Sequence, residues 1–199
     1  MSAAFQTEFP TPFEQGNRNQ TATWAQTVAF YEQLAAAYPQ VLRFWQMGVS
    51  DQGIPLHAGV ITADGVLDPD TLKSQGRPVF FNNNGIHPGE PEGVDACMAL
   101  VRDLCTQATT RAALGSTVFL FIPLYNVDGS RNRQATSRVN QDGPEHFGFR
   151  GNALHMDLNR DFIKCNSLAA QAFNRFFTAW DPDDMVDTPT SHGFDSRYH

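Results

Sequence analysis

His87 and Glu90 stand three residues apart in Asn84-Gly85-Ile86-His87-Pro88-Gly89-Glu90-Pro91-Glu92-Gly93. An imidazole nitrogen and a carboxylate oxygen both suit zinc, so the pair forms a compact two-donor clamp for a divalent metal. It lies where an apolar run, Pro78-Val79-Phe80-Phe81, gives way to a helical pattern from Val94 to Leu104. Alone, this spacing is weak evidence. The ordinary alternative is a polar loop whose Glu90 sits in the first turn of a helix, where a negative charge suits the dipole. The asparagines, glycines and prolines around the pair describe an ordered, irregular loop at a strand end, a place that carries function more often than regular elements do.

Two further stretches lie downstream. Phe119-Leu120-Phe121-Ile122 leads into Asn126-Val127-Asp128-Gly129, and Arg150 precedes Asp157-Leu158-Asn159-Arg160. Taken in order, the three motifs resemble the zinc carboxypeptidases of the carboxypeptidase A type. That family has a His-x-x-Glu pair after a strand, an Asn-Pro-Asp-Gly-like turn after another, then an arginine ahead of an Asp-x-Asn-Arg segment. Val127 stands here where proline is usual. The resemblance runs from about Thr11 to Asp187.

The resemblance implies roles that the chemistry supports. His87 and Glu90 are the first two zinc ligands. Asp157 accepts a hydrogen bond from the second ring nitrogen of His87 and fixes its tautomer. Arg150 stabilises the oxyanion that develops on the scissile carbonyl. Asn159 and Arg160 hold the C-terminal carboxylate of a peptide substrate, since a guanidinium fork matches a carboxylate bidentately. The ordinary alternative for Arg160 is a salt bridge with Asp157 or Asp161. Arg138 is the rival to Arg150, whose spacing to Asn159-Arg160 fits the family better. Arg131 and Arg133 are expected to be solvated loop charges.

The pattern breaks near Met185-Val186-Asp187-Thr188-Pro189. Pro189 stands where the family has its third zinc ligand, a histidine, and a proline side chain has no ligand atom. A catalytic zinc takes three protein ligands and an open position for water. His192 lies three residues on, an odd offset that points it to the opposite face of a strand. His155 and Asp187 are weaker stand-ins. The sequence stops at His199, before the family's closing tyrosine and general-base glutamate, so the resemblance implies an incomplete N-terminal portion of a catalytic domain. The expected function is a zinc-dependent metallocarboxypeptidase-type hydrolase with impaired catalysis. The alternative is a non-catalytic relative that binds peptide C-termini.

These groups need a scaffold, and the patterning supplies an α/β order: a mixed, largely parallel twisted sheet with helices on both faces. Residues 1–20 are polar, with Pro10 and Pro12, and predict an extended arm. Thr23 caps a helix through about Ala37 with Trp24, Val28, Tyr31, Leu34 and Ala35 on one face. Strands are expected at 42–49, 56–61, 79–82, 117–123 and 185–188, and helices at 93–108 and 167–180. On the last helix Leu168, Ala172, Phe176 and Ala179 are spaced for burial. Residues 126–157 read as a long irregular segment, which suggests a functional loop. The functional residues are expected to converge at the carboxyl edge of the central strands.

Composition narrows the partners. The 199 residues fit a single domain, and 41% hydrophobic residues with 16 Phe supply a core. With 14 basic and 21 acidic side chains the net charge is -7, which disfavours nonspecific nucleic-acid binding. No stretch approaches the apolar length of a membrane span. Met1 to Gln6 shows neither a basic nor an apolar leader region, and three cysteines are an odd number. Both point to a reduced, cytoplasmic protein. An exposed sheet edge flanked by exposed Phe and Leu predicts self-association.

Overall fold

The computed structural model describes residues 8–137, 141 and 143–189. Its elements in chain order are α1 (Pro12–Gln15), α2 (Trp24–Ala37), β1 (Leu42–Val49), β2 (Pro55–Ile61), α3 (Pro69–Ser74) and β3 (Val79–Asn83). There follow α4 (Glu92–Thr106), α5 (Ala108–Ala112), β4 (Val118–Ile122), α6 (Val127–Arg131), a 3-10 turn (Leu158–Arg160), α7 (Leu168–Trp180) and β5 (Asp184–Asp187). The strands form one mixed sheet in the order β1-β2-β4-β3-β5. β3 runs parallel to both β4 and β5, while β2 is antiparallel to β1 and to β4.

β4 shows why the sheet is covered on both sides. Its five apolar residues are all buried, and alternation sends them to opposite faces. Val118, Leu120 and Ile122 enter a core with Phe81 and the α7 residues Ala169, Ala172, Phe173 and Phe176. Phe119 and Phe121 enter a second core with Phe30, Tyr31 and Leu34 of α2 and Val94, Met98 and Val101 of α4. Phe81 lies with its ring 5.8 Å from that of Phe173 and 5.6 Å from that of Phe176. Burying such a side chain contributes roughly 1.5–3 kcal/mol.

Local signals set the helix ends. Thr23 accepts from Gln26 N, and the Gln26 side chain returns a bond to the Thr23 backbone, a reciprocal cap that satisfies two orphan amides. Ser167 caps α7 by accepting from Ala170 N. Asp161 in turn accepts from the backbone N–H and the hydroxyl of Ser167.

Several expectations need correction. The arm contains a helical turn, α1, with a full capping box between Thr11 and Glu14. On α7 Ala172 and Phe176 are buried as expected, with Ala169, Ala170 and Phe173 beside them, but Leu168 is 46% exposed and Ala179 is also exposed. On α2 the buried set is Thr27, Phe30, Tyr31 and Leu34. The irregular segment includes α6. Among the described residues, the exposed large apolar residues on the sheet edges are Val49 and Val186, and the exposed Phe and Leu lie elsewhere, at Phe13, Leu100, Leu154 and Leu168. Arg133 is not a solvated loop charge: its guanidinium donates to the carbonyls of Thr21, Ala22 and His146. Cys97, Cys105 and Cys165 are free thiols. Among the described residues, no helix is long and apolar enough to cross a membrane.

Candidate functional site

β3 and β4 run side by side and end together, and the chain after each supplies the site. Gly85 turns the backbone out of β3 at a φ of +65°, and a Cβ there would collide with Leu124. The carbonyls of the following loop are each caught by a donor. Asn84 O accepts from Tyr125 N at 2.8 Å and Gly85 O from Asn126 N at 3.1 Å. His87 O accepts from Glu90 N at 2.9 Å, and Pro88 O from Gly148 N at 3.1 Å. The Gln141 side chain donates to Gly89 O at 2.8 Å. The loop that carries the His-x-x-Glu pair is therefore fixed by segments distant in sequence.

His87 is 4% exposed and Glu90 is 3% exposed. His87 Nδ1 lies 3.6 Å from Glu90 Oε2, and His87 Nε2 lies 2.9 Å from Asp157 Oδ1. A carboxylate only accepts, so Nε2 carries the proton and Nδ1 faces Glu90. Two donors 3.6 Å apart, each about 2.0–2.2 Å from one zinc ion, subtend about 110–130° at it, close to tetrahedral. The pair thus fits a zinc ion as two donors.

Asp157 organises the other side. Besides His87 Nε2, its Oδ1 accepts from Asn159 N at 3.0 Å. Its Oδ2 accepts from Arg150 Nε at 3.1 Å and Nη2 at 2.9 Å. Arg150 Nη1 also lies 3.8 Å from Glu90 Oε1. The structure therefore brings His87, Glu90, Asp157 and Arg150 together. Burial pushes the Asp157 carboxyl up, but the bonds from His87, Arg150 and Asn159 N outweigh it and hold the group below the usual range. For His87 burial works against the charged form, and the adjacent Glu90 and Asp157 carboxylates prevail, so its pKa is raised.

Asn159 joins this cluster through its backbone. Arg160 is exposed, and its Nη1 donates to Asn159 O at 3.3 Å. It makes no ion pair among the described residues, because Asp157 is occupied as above and Asp161 binds Asn166 N and Ser167. The salt-bridge alternative for Arg160 is not the arrangement found. Arg138 and His192 lie outside the described residues.

Among the described residues no third His, Cys, Asp or Glu completes a metal group. Pro189 is exposed just beyond β5. Asp187, two residues before it, is raised by burial and bonded by Asn83 Nδ2 at 3.2 Å. His155 lies in a left-handed turn at φ +57°, and neither it nor Asp187 completes the group.

The sequence did not single out Asn126 as an individual side chain. It is 1% exposed, accepts from Gly129 N at 2.9 Å and donates to Arg150 O at 2.9 Å. Its Asn-x-Asp-Gly context was legible only as a turn. Asp128 of the same turn is buried and accepts from Ser50 of the loop between β1 and β2.

A mixed sheet that gathers a His-x-x-Glu pair, a supporting aspartate and an arginine beyond the ends of parallel strands defines an α/β protein with a metallopeptidase-like candidate site. The zinc carboxypeptidase family matches residues 27–184, most of the chain, and the chain belongs to that family. A comparison with curated protein sequences finds no match. Among solved structures, a metallo-carboxypeptidase from Burkholderia cenocepacia is similar at 19% identity and a TM-score of 0.63, over 84% of this chain and 40% of that one. Carboxypeptidase A from Helicoverpa armigera gives 14% identity and a TM-score of 0.66, over 87% and 47%. Bovine thrombin-activatable fibrinolysis inhibitor, solved in complex with tick carboxypeptidase inhibitor, gives 16% and 0.63, over 86% and 61%. At these identities the likeness is one of fold. The chain spans 40–61% of the length of these structures.

Proposed function

We propose that the chain carries the carboxylate-recognising and two-donor metal part of a metallocarboxypeptidase-type hydrolase, acting on peptides with a free C-terminus. The observation that carries this reading is the pairing of His87 Nδ1 with Glu90 Oε2 at 3.6 Å while Asp157 holds the opposite ring nitrogen. His87 and Glu90 would hold zinc, which when bound polarises a carbonyl and acidifies a water. Arg150 supplies a positive charge beside the pair for a carbonyl oxygen that gains negative charge. Arg160, exposed and without a carboxylate partner among the described residues, is suited to the substrate's C-terminal carboxylate, with the Asn159 amide next to it.

The two donors found among the described residues are fewer than the three that a catalytic zinc takes, and Pro189 contributes none. Zinc binding is therefore weak and peptide hydrolysis slight for this chain as it stands. That same observation favours the second reading, a relative that recognises C-terminal carboxylates without turnover. Calorimetry with zinc, binding of a peptide as free acid and as C-terminal amide, and a peptide-hydrolysis assay separate the two. Preference for the acid, lost in Arg160→Ala, is the expected result for recognition. Equal binding of acid and amide would sink it. Robust zinc-dependent hydrolysis by the unaltered chain would overturn the claim of impaired catalysis.

A further inference from the structure

We propose that Asn126 is a positioning residue that sets the placement of His87 relative to Arg150. The inference rests on reading those two side chains as working members of the site. The Asn126 Nδ2 amide donates to Arg150 O at 2.9 Å and to Ile86 O, the carbonyl next to His87, at 3.4 Å. One nitrogen thus ties the backbones of both residues. At their far ends both side chains meet on Asp157, His87 through Nε2 and Arg150 through Nε and Nη2. Asn126 and Asp157 therefore close a ring, with a backbone tie at one end and a carboxylate at the other. The orientation of the amide follows from its partners: Oδ1 accepts from Gly129 N, so Nδ2 must face the two carbonyls.

Position in the fold strengthens the case. Asn126 N also donates to Gly85 O, so the residue grips the His87 loop twice. It is buried in the connection between β4 and α6, where its side chain caps α6 and its backbone N–H is tied to the His87 loop. The side-chain bonds of Asn126 all go to backbone atoms, so it acts through the placement of His87 and Arg150.

Asn126→Asp keeps the shape and the acceptor that caps α6 but has no hydrogen to give the two carbonyls. Asn126→Ser keeps a capping oxygen and is too short to reach them, and serves if the buried charge of the first variant prevents folding. Both are compared with the unaltered chain by NMR of the His87 imidazole in metal-free protein and by zinc calorimetry. The expected result is a changed or lost signal from the Nε2 proton shared with Asp157, and zinc affinity weakened about 10- to 100-fold, the range for residues that orient metal ligands. A folded variant with the His87 signal and zinc affinity unchanged overturns the proposal. If the unaltered chain binds no zinc, the metal reading fails, and the metal-free NMR signal still decides the role of Asn126.

Discussion

Replacing Asp157 with Asn removes one charge and almost no volume from the centre of the site. In the native chain that carboxylate receives His87 Nε2, two nitrogens of Arg150 and Asn159 N. A net hydrogen bond to a charged group contributes about 1.5–3 kcal/mol. The Arg150 side chain is 38% exposed, so its share is screened by solvent. His87 is buried, and its bond carries most of the loss. The expected cost of Asp157→Asn is about 2 kcal/mol, or about 4–8 °C in Tm for a domain of this size.

The pH dependence gives a sharper test. The Asp157 pKa is depressed in the folded chain, so its contribution is present above its unfolded value and is lost as pH falls through the folded one. The His87 pKa is raised, so its contribution is complete below its unfolded value and is lost as pH rises through the folded one. The gap between the two melting curves should be widest between about pH 4 and 6.5 and shrink on both sides. In the variant one of the two carboxylates that raise the His87 pKa is gone, so that pKa should drop from its native position, which NMR titration reads directly. A gap that is flat with pH, with an unmoved His87 titration, would refute the reasoning.

Two other substitutions test separate parts of the structure. Pro189→His supplies a side-chain donor at the end of β5, and calorimetry should show zinc affinity at least about tenfold tighter as the set approaches three ligands; unchanged affinity would mean that this strand end does not face the pair. Arg133→Ala removes the donor to three backbone carbonyls that hold residues 21 and 22 and the segment at 146. A loss of about 1–3 kcal/mol is expected, with faster proteolytic cleavage in residues 8–22, and equal cleavage of both proteins would show that the clamp does not secure the arm.

Local order wrote much of this protein into its sequence. The apolar runs that became β3 and β4, Thr23 and Ser167 as helix caps, and the His87-x-x-Glu90 spacing depend on residues within a few positions of one another. Alternation and capping act at that range, so they are visible in one dimension. So is the absence of a ligand atom at Pro189. The tertiary structure decided what each side chain meets. Asp157 lies 70 residues from His87, and only the parallel pairing of β3 and β4, with the chain crossing back beyond their ends, brings the two within bonding distance. The same return path turned Arg150 onto Asp157, left Arg160 without a carboxylate among the described residues and made Asn126 a tie between loops. The roll of α7 was settled in the same way. Its apolar residues wrap more than one stripe: spacing found Ala172 and Phe176 but also offered Leu168 and Ala179, and the packing of Phe81 on Phe173 and Phe176 and of Trp45 on Phe176 left those two outside. Arg133 shows the limit most plainly: one of several arginines in a polar stretch, it carries no sign of its partners, because three carbonyls from two other segments create its environment only once the chain has folded.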